Sequence, residues 1–209
     1  MATANQGISV RLVNDPSPES PRMWDNLGTM VCAHRRYNLG DESGHSDALY
    51  IIREHLSDKQ LREMDFDESH VPDIERALEL TGQVVMLPLY LYQHSGMAMK
   101  TSPFSCQWDS GKVGFIFVSK AKLTQEYGWK RITADRCNKI HTLLEGEVEE
   151  YDTYLRGDVW GFEVVQESQV VDSCWGFFGS DPLTNGVLCH LTGPARELVE
   201  SGRFERSYA

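Results

Sequence analysis

The sequence predicts an α+β fold with a mixed, largely antiparallel sheet, one long amphipathic helix and several shorter acidic helices. Apolar residues recur at spacings of three and four between about residues 133 and 155, the pattern of a helix with one buried face. Strand-forming runs lie elsewhere, without the regular strand–helix alternation of a parallel sheet. Because 209 residues with 41% hydrophobic side chains can bury one substantial core, we expect a single compact domain spanning residues 1–209.

The chain begins with two predicted strands separated by a loop. Residues 8–13 alternate apolar and polar side chains, as a half-buried strand does. Residues 14–22 contain three prolines and are predicted to be a loop, whereas residues 27–32 form an apolar run that we interpret as a strand. We expect residues 1–7 to be poorly ordered.

The region of about residues 47–80 is predicted to form short acidic helices. Ser46 is a suitable N-cap, and the apolar residues after it recur at spacings of three and four. Pro72 suits the first turn of a further helix, and Gly82 suits its end.

Two strands are predicted on either side of a long loop. Residues 84–92 are rich in strand formers, but Pro88 removes one main-chain donor, so this strand should lie at an edge or contain a bulge. Residues 113–118 form the next strand. If the two are antiparallel neighbours, their adjoining ends bring His94 near Cys106 and Asp109.

A hairpin is predicted near the C-terminus. Residues 159–165 and 170–178 are strand-like and flank a short polar turn. Trp-Gly-Phe occurs on both arms, which indicates aromatic pairing across the two strands.

The formal net charge of −11 is unevenly distributed. Residues 41–80 carry 12 acidic and 4 basic side chains, and residues 145–172 carry 9 and 1. Residues 112–139 reverse the sign, with seven Lys and Arg against two acids. We expect an acidic face and a smaller basic one, and the acidic excess argues against general binding to nucleic acid.

The sequence gives no sign of a membrane, secreted or metal-stabilised protein. No apolar run reaches the roughly 18 residues that span a bilayer, and the N-terminus lacks the pattern of a secretory signal. The five cysteines contain no C-x-x-C pair, so neither a disulfide framework nor a structural zinc site is indicated. We expect a soluble intracellular protein with reduced, mostly buried thiols and predict no cofactor.

His34, Arg35 and Arg36 form the most promising binding cluster, directly after a predicted strand. Arginine suits bidentate contacts with phosphate or carboxylate, so these residues are candidates for binding an anionic ligand. The alternative is a structural ion pair with Asp41, Glu42 or another acid of a loop.

Cys106, His94 and Asp109 supply the residue types of a thiol nucleophile, a base and an orienting acid. Gln107 and the tryptophan after it match no protease signature, so the alternative is a buried, inert thiol.

Asp25 and Asp109 each follow a tryptophan and precede a glycine and an apolar run. Together with Asp41 they could converge on a cation, since hard cations need several oxygen ligands. The alternative is that each aspartate only caps its turn.

The helix of residues 133–155 carries an acidic run. Its carboxylates could imitate the spacing of a phosphate backbone and contact a partner protein, although such a run is often only a solvated face. The candidate contacts are Glu145, Glu147, Glu149, Glu150 and Asp152, and the alternative is the set of acids in residues 58–68.

Five strings spread over most of the chain resemble a family of small proteins carried by bacteriophages and integrated mobile elements. The strings are PRMWDNLGTMVCAHRRYNLGD (21–41), PLYLYQHSG (88–96), FSCQWDSGKVGFIFVSK (104–120), VEEYDTYLRGDVWGF (148–162) and DSCWGFFGSDP (172–182). The resemblance implies a genetic context rather than an activity: small acidic proteins of mobile elements often counter host defence. It therefore implies the cytoplasm of a bacterial host.

The leading hypothesis is a non-enzymatic protein that binds and inhibits a host defence component of the restriction or CRISPR type, with an acidic surface that imitates DNA. Its partner would be a nuclease or a nucleic-acid-binding complex. The alternative is a small enzyme or nucleotide-binding protein whose pocket gathers the His, Arg, Cys and Asp candidates. A third hypothesis is an interaction or scaffold protein of the mobile element itself.

Overall fold

The computed structural model describes residues 7–208 and confirms the α+β class, with strands in two sheets and helices packed on them. Residues 1–6, most of the segment predicted to be poorly ordered, lie outside the described residues. The chain separates into two compact units, unit 1 (residues 1–21 and 153–209) and unit 2 (residues 22–152). The single domain expected from the sequence stays a prediction, and each unit is described by itself.

The regular elements of the described chain are as follows. The strands are β1 (Ile8–Asn14), β2 (Thr29–Cys32), β3 (Val84–Gln93), β4 (Met97–Lys100), β5 (Ser110–Ser119), β6 (Val159–Gln166), β7 (Gln169–Phe178) and β8 (Glu205–Ser207). The α-helices are α1 (Gly44–His55), α2 (Asp58–Glu63), α3 (Val71–Thr81), α4 (Lys120–Tyr127), α5 (Ala134–Leu155), α6 (Val187–His190) and α7 (Gly193–Glu200), and Pro21–Met23 form a 3₁₀ helix.

Unit 1 is a four-stranded sheet in the order β7-β6-β1-β8, with only β8 parallel to its neighbour among the described strands. The predicted hairpin is present as β6 and β7. The Phe162 and Phe177 rings approach each other within 5.9 Å across it, and the Trp175 ring covers Gly161, where an added Cβ would lie 2.3 Å from that ring. The repeated Trp-Gly-Phe triplet therefore packs aromatic side chains across the strands.

Unit 2 is a second four-stranded sheet, in the order β2-β5-β3-β4, and every neighbouring pair in it is antiparallel. Apolar residues of α1 and α3 pack on one side of it with Phe115 and Phe117 of β5. Helix α5 buries Ile140, Leu144 and Val148. An added Cβ at Gly28 would lie 2.5 Å from Leu144 and 2.7 Å from Ile116, so α5 packs tightly at this point.

The helix with the strongest apolar periodicity in the sequence is also the one whose predicted bounds agree best with the structure. The helix predicted for about residues 133–155 is α5, and the acidic region of 47–80 forms α1, α2 and α3. The predicted N-cap at Ser46 is wrong, because α1 begins at Gly44 and Ser46 lies in its first turn. No described helix is both long and apolar enough to cross a membrane.

Pro88 lies within β3, an inner strand of the unit 2 sheet. β3 lies between β5 and β4, so the strand as a whole is not at an edge, and a bulge follows between Leu89 and Tyr90. β4 pairs only with the last four residues of β3, from Tyr90 to Gln93. At Pro88 the missing N–H therefore removes no bond to β4.

The cysteines are free thiols, as expected, but they are less buried than predicted. Cys189 is exposed and the other four are half-buried as whole residues. Burial raises the pKa of the Cys32 thiol to about 12, with a further contribution from the nearby Asp41 charge.

Replacing Gly114 by alanine should destabilise the protein by about 1–3 kcal/mol through overpacking. A Cβ at this position would lie 1.9 Å from the Val31 carbonyl oxygen of the adjacent strand, and main-chain atoms cannot easily give way. Gly146 in α5 is the matched control, because a Cβ there meets no atom within 4 Å. Gly146→Ala should stabilise the helix by about 0.5–1 kcal/mol.

The free energy of unfolding of both variants is measured by urea denaturation. Equal effects of the two substitutions would contradict the close approach of β2 and β5 at Gly114.

Candidate functional site

Three loops meet at one end of the unit 2 sheet because of its strand order. β2 and β3 both run antiparallel to β5, so their C-terminal ends adjoin its N-terminal end. The amide of Ala33 donates to the Val113 carbonyl at 2.8 Å, and the amide of Gln93 donates to the Asp109 carbonyl at 2.8 Å. The loops after β2 and β3 and the loop before β5 are thereby brought together.

These loops enclose two adjoining polar cavities, which we call the strand-end site. A cavity of about 590 Å³ is lined by His34, Arg35, Arg36, Gln93 and His94. A cavity of about 350 Å³ shares three of these residues and adds Trp108 and Asp109 of the loop before β5 and Ser110, the first residue of β5. The structure thus gathers most of the side chains that the sequence predicted for a single pocket.

The His34 ring organises the arginine-bearing loop. Its Nδ1 accepts the amide hydrogens of Arg36 at 3.2 Å and Tyr37 at 3.3 Å. The neutral ring therefore carries its proton on Nε2, which leaves that nitrogen as a donor. The ring also stacks on Tyr37 at 5.2 Å, and the Tyr37 hydroxyl accepts a bond from Gln93 Nε2 at 3.3 Å. The loop after β2 is in this way tied to the end of β3.

Arg35 and Arg36 are exposed, and in the described part of the chain no carboxylate lies within ion-pair distance of either. The alternative interpretation was an ion pair with Asp41 or Glu42. The structure instead pairs Asp41 with a different arginine, Arg22. Both guanidinium groups of the loop are therefore available to a ligand.

Arg22, which the sequence did not reveal, is the centre of a buried ion triad. Its side chain is 4% exposed and bonds Asp41 through two nitrogens, at 2.7 and 2.8 Å, and Glu147 through a third, at 3.0 Å. Burial alone would lower the pKa of Arg22, but its bonds and attraction to both carboxylates raise it overall. An arginine within a short 3₁₀ helix carries no periodic pattern that would have revealed this role.

The two carboxylates of the triad also bind main-chain groups near the loop of residues 33–40, which we call the arginine loop. Asp41 Oδ2 accepts the Met30 amide at 2.9 Å, and the Asp41 amide donates to the Met30 carbonyl at 3.1 Å. Glu147 Oε1 accepts the amides of Leu27 at 2.8 Å and Gly28 at 3.1 Å. The chain entering and leaving the loop of residues 33–40 is therefore fixed to the buried charges.

Cys106, Asp109 and His94 lie together, but not as a nucleophile beside its base. The Cys106 thiol donates to Asp109 Oδ2 at 3.4 Å, and His94 Nδ1 lies 3.6 Å from Asp109 Oδ1. The carboxylate stands between the thiol and the imidazole. For His94 to act as the base, its ring would have to contact the thiol, so the arrangement does not match the predicted order of nucleophile, base and orienting acid.

The three aspartates proposed as cation ligands are not brought to one point. Asp25 and Asp41 line a cavity near Arg22, whereas Asp109 lies at the strand-end site. In the region from residue 7 to residue 208, no cluster of three or more His, Cys, Asp or Glu side chains is suited to a metal ion. Asp41 instead forms an ion pair with Arg22, so it does not belong to the cation site proposed from the sequence.

The acidic residues of α5 separate into internal and exposed groups. Glu147 belongs to the triad, and Asp152 Oδ1 accepts the Met99 amide at 2.7 Å. Burial, followed by the charge of Glu147, raises the pKa of the Glu150 carboxyl. Only Glu145 and Glu149 of the five candidates are exposed. That these five residues contact a partner stays a prediction, but Glu147 and Asp152 already have internal partners.

Comparisons of the chain with protein-family models, with curated proteins and with solved structures gave no match. The resemblance to proteins of bacteriophages and mobile elements therefore stays a prediction, and the chemistry of the strand-end site is the main guide to function.

Glu147→Ala should destabilise the protein by about 3–5 kcal/mol, because it removes a partner of a buried guanidinium and the acceptor of two main-chain amides. Glu145→Ala, on the exposed side of the same helix, should change stability by no more than about 0.5 kcal/mol. Chemical denaturation of the two variants measures the difference. A loss at Glu147 no larger than that at Glu145 would show that the triad is not a main support of unit 2.

Proposed function

We propose that the protein binds a nucleotide, with its phosphates held at the strand-end site by Arg35 and Arg36. One observation carries the proposal: two exposed arginines without a described carboxylate partner line the same cavity as His34, Gln93 and His94. The protein has a net charge of −11, so most of its surface repels anions. A cavity lined by cations and hydrogen-bond donors differs from this surface, because it attracts anions and favours phosphate.

The donors of the larger cavity match the needs of a phosphate chain. Each guanidinium presents a fork of N–H groups that can bond two phosphate oxygens. The Gln93 amide and the Nε2 hydrogen of His34 are uncharged donors beside them. His94 lines the same cavity, and its Nδ1 is 3.6 Å from Asp109 Oδ1.

The smaller cavity offers a place for the base and the sugar. Trp108 is 96% exposed, which is unusual for the largest apolar side chain, and it forms part of the cavity wall. Stacking of a base on an aromatic ring contributes about 1–3 kcal/mol to binding. Asp109 is an acceptor in the same wall and can receive a ribose hydroxyl or a base amino group.

The proposal concerns binding and includes no catalytic step. The described partner of the Cys106 thiol is the Asp109 carboxylate rather than the His94 imidazole. The volumes of about 590 and 350 Å³ are in the range of small-molecule sites.

A double variant with Arg35→Ala and Arg36→Ala should bind ATP, GTP, CTP or UTP at least about tenfold more weakly than the native protein. Trp108→Phe should retain phosphate binding but remove most of the fluorescence quenching that the bound base causes. Titration calorimetry and tryptophan fluorescence at low salt measure both effects. The control is Arg53→Ala with Arg62→Ala, which makes the same change in net charge on the exposed surface of α1 and α2.

The proposal fails if none of the four nucleotides binds the native protein at low salt. It also fails if the control pair weakens binding as much as the Arg35 and Arg36 pair, since the effect would then come from net charge alone.

The inhibitor of a host defence component remains a separate hypothesis. Of the five acidic residues of α5 predicted from the sequence to contact a partner, Glu145 and Glu149 are exposed, and these two form a smaller acidic surface than all five would.

A further inference from the structure

A second group of cations lies at the opposite end of β5, around α4 and the start of α5. Residues 120–139 contain six Lys and Arg and only two acids, in a chain with a net charge of −11. β5 ends at Ser119, which caps α4 by accepting the Lys122 amide at 3.1 Å. This group is therefore separated from the strand-end site by the length of a ten-residue strand.

None of these six cations has an acidic partner among residues 7–208, and Lys122 and Arg136 donate to main-chain carbonyls instead. No described carboxylate lies within ion-pair distance of Lys120, Lys130, Arg131 or Lys139. Cations elsewhere are commonly paired, as shown by Arg11, Arg53, Lys59, Arg76, Lys112 and Arg196. In an acidic protein, a cluster of cations kept apart from carboxylates favours binding of an external anion.

A cavity of about 280 Å³ lies at the loop between α4 and α5 and is lined by Lys120, Thr124, Trp129, Lys130, Arg131 and Ile132. Helix α4 ends at Gly128, whose positive φ of 66° allows the chain to turn sharply. The Thr124 hydroxyl lies 2.8 Å from the Trp129 carbonyl, and Arg136 Nη1 donates to the Arg131 carbonyl at 2.8 Å. Bonds from both helices therefore fix the loop.

An aromatic stack lies beside the cavity. The rings of Tyr127 and Trp129 are stacked with centroids 4.6 Å apart, and the Arg136 guanidinium lies 4.9 Å from the Trp129 centroid. Tyr127 is 40% exposed, so part of its ring remains open to solvent. The stack offers a preorganised surface on which a further flat ring can bind.

We propose that this basic-aromatic patch, defined by Lys120, Tyr127, Trp129, Lys130 and Arg131, binds single-stranded nucleic acid. The cavity of about 280 Å³ has room for a backbone phosphate among the three cations. Tyr127 stacks an adjacent base, which requires an unpaired base rather than a duplex. The acidic surroundings repel a long polyanion, so the contact covers only a few nucleotides. This site is independent of the nucleotide proposed for the strand-end site.

The test is fluorescence anisotropy with short labelled oligothymidine and oligouridine at a series of salt concentrations. A double variant with Lys130→Glu and Arg131→Glu should weaken binding at least about tenfold and reduce the salt slope by roughly two phosphate contacts. Tyr127→Ala should weaken binding about fivefold or more while leaving the salt slope unchanged.

Two control pairs distinguish binding at the patch from a general charge effect and from binding at the strand-end site. Lys59→Glu with Arg62→Glu makes the same charge change on α2 and should have little effect. In a protein that already carries Arg35→Ala and Arg36→Ala, Lys130→Glu with Arg131→Glu should still weaken oligonucleotide binding at least about tenfold. If binding is instead lost with Arg35→Ala and Arg36→Ala alone and does not respond to Lys130→Glu with Arg131→Glu, the patch proposal is overturned and the strand-end proposal survives.

Two further outcomes overturn the inference. One is the absence of binding to either oligonucleotide at low salt. The other is equally tight binding of a duplex of the same length together with no effect of Tyr127→Ala, which would reduce the patch to a general attraction for polyanions.

Discussion

The structure of unit 2 depends on the charge of Arg22, buried between Asp41 and Glu147. A guanidinium that is 4% exposed is tolerated only because both carboxylates and a main-chain carbonyl satisfy it. Each carboxylate in turn accepts main-chain amides, so the triad links the segment before β2, the end of the arginine loop and helix α5. The loop that carries Arg35 and Arg36 therefore leaves and rejoins the fold at fixed points.

The other charged side chains of unit 2 include acids that bind internal groups and cations that have no described acidic partner. Acids that look like a continuous surface in the sequence are partly used inside, as Glu147 and Asp152 show by accepting main-chain amides. Two groups of cations have no described acidic partner. One lies beside the N-terminal end of β5 and the other follows its C-terminal end, so the length of this strand separates them. A protein that is acidic overall thus has two distinct places at which a phosphate would be favoured.

The sequence predicted those features that follow from periodicity and strand order. The spacing of apolar residues located α5, and the antiparallel pairing of two strands predicted that His94 would approach Cys106 and Asp109. The triad could not be predicted, because its members are separated by up to 125 residues and a buried arginine has no local pattern. Strand β4 was missed because it has only four residues, and helix α4 was missed because it is short and polar. The stability of both comes from neighbouring elements rather than from their own sequence.

The central claim is that an ordered, cation-lined site at the end of the unit 2 sheet binds a nucleotide. Its most direct test is a ¹H–¹⁵N NMR titration of the native protein with ATP. The account predicts that the largest shifts occur in residues 33–37, 93–96 and 106–111, together with the indole N–H of Trp108. An absence of shifts, or shifts concentrated on the exposed acidic side of α5, would contradict it.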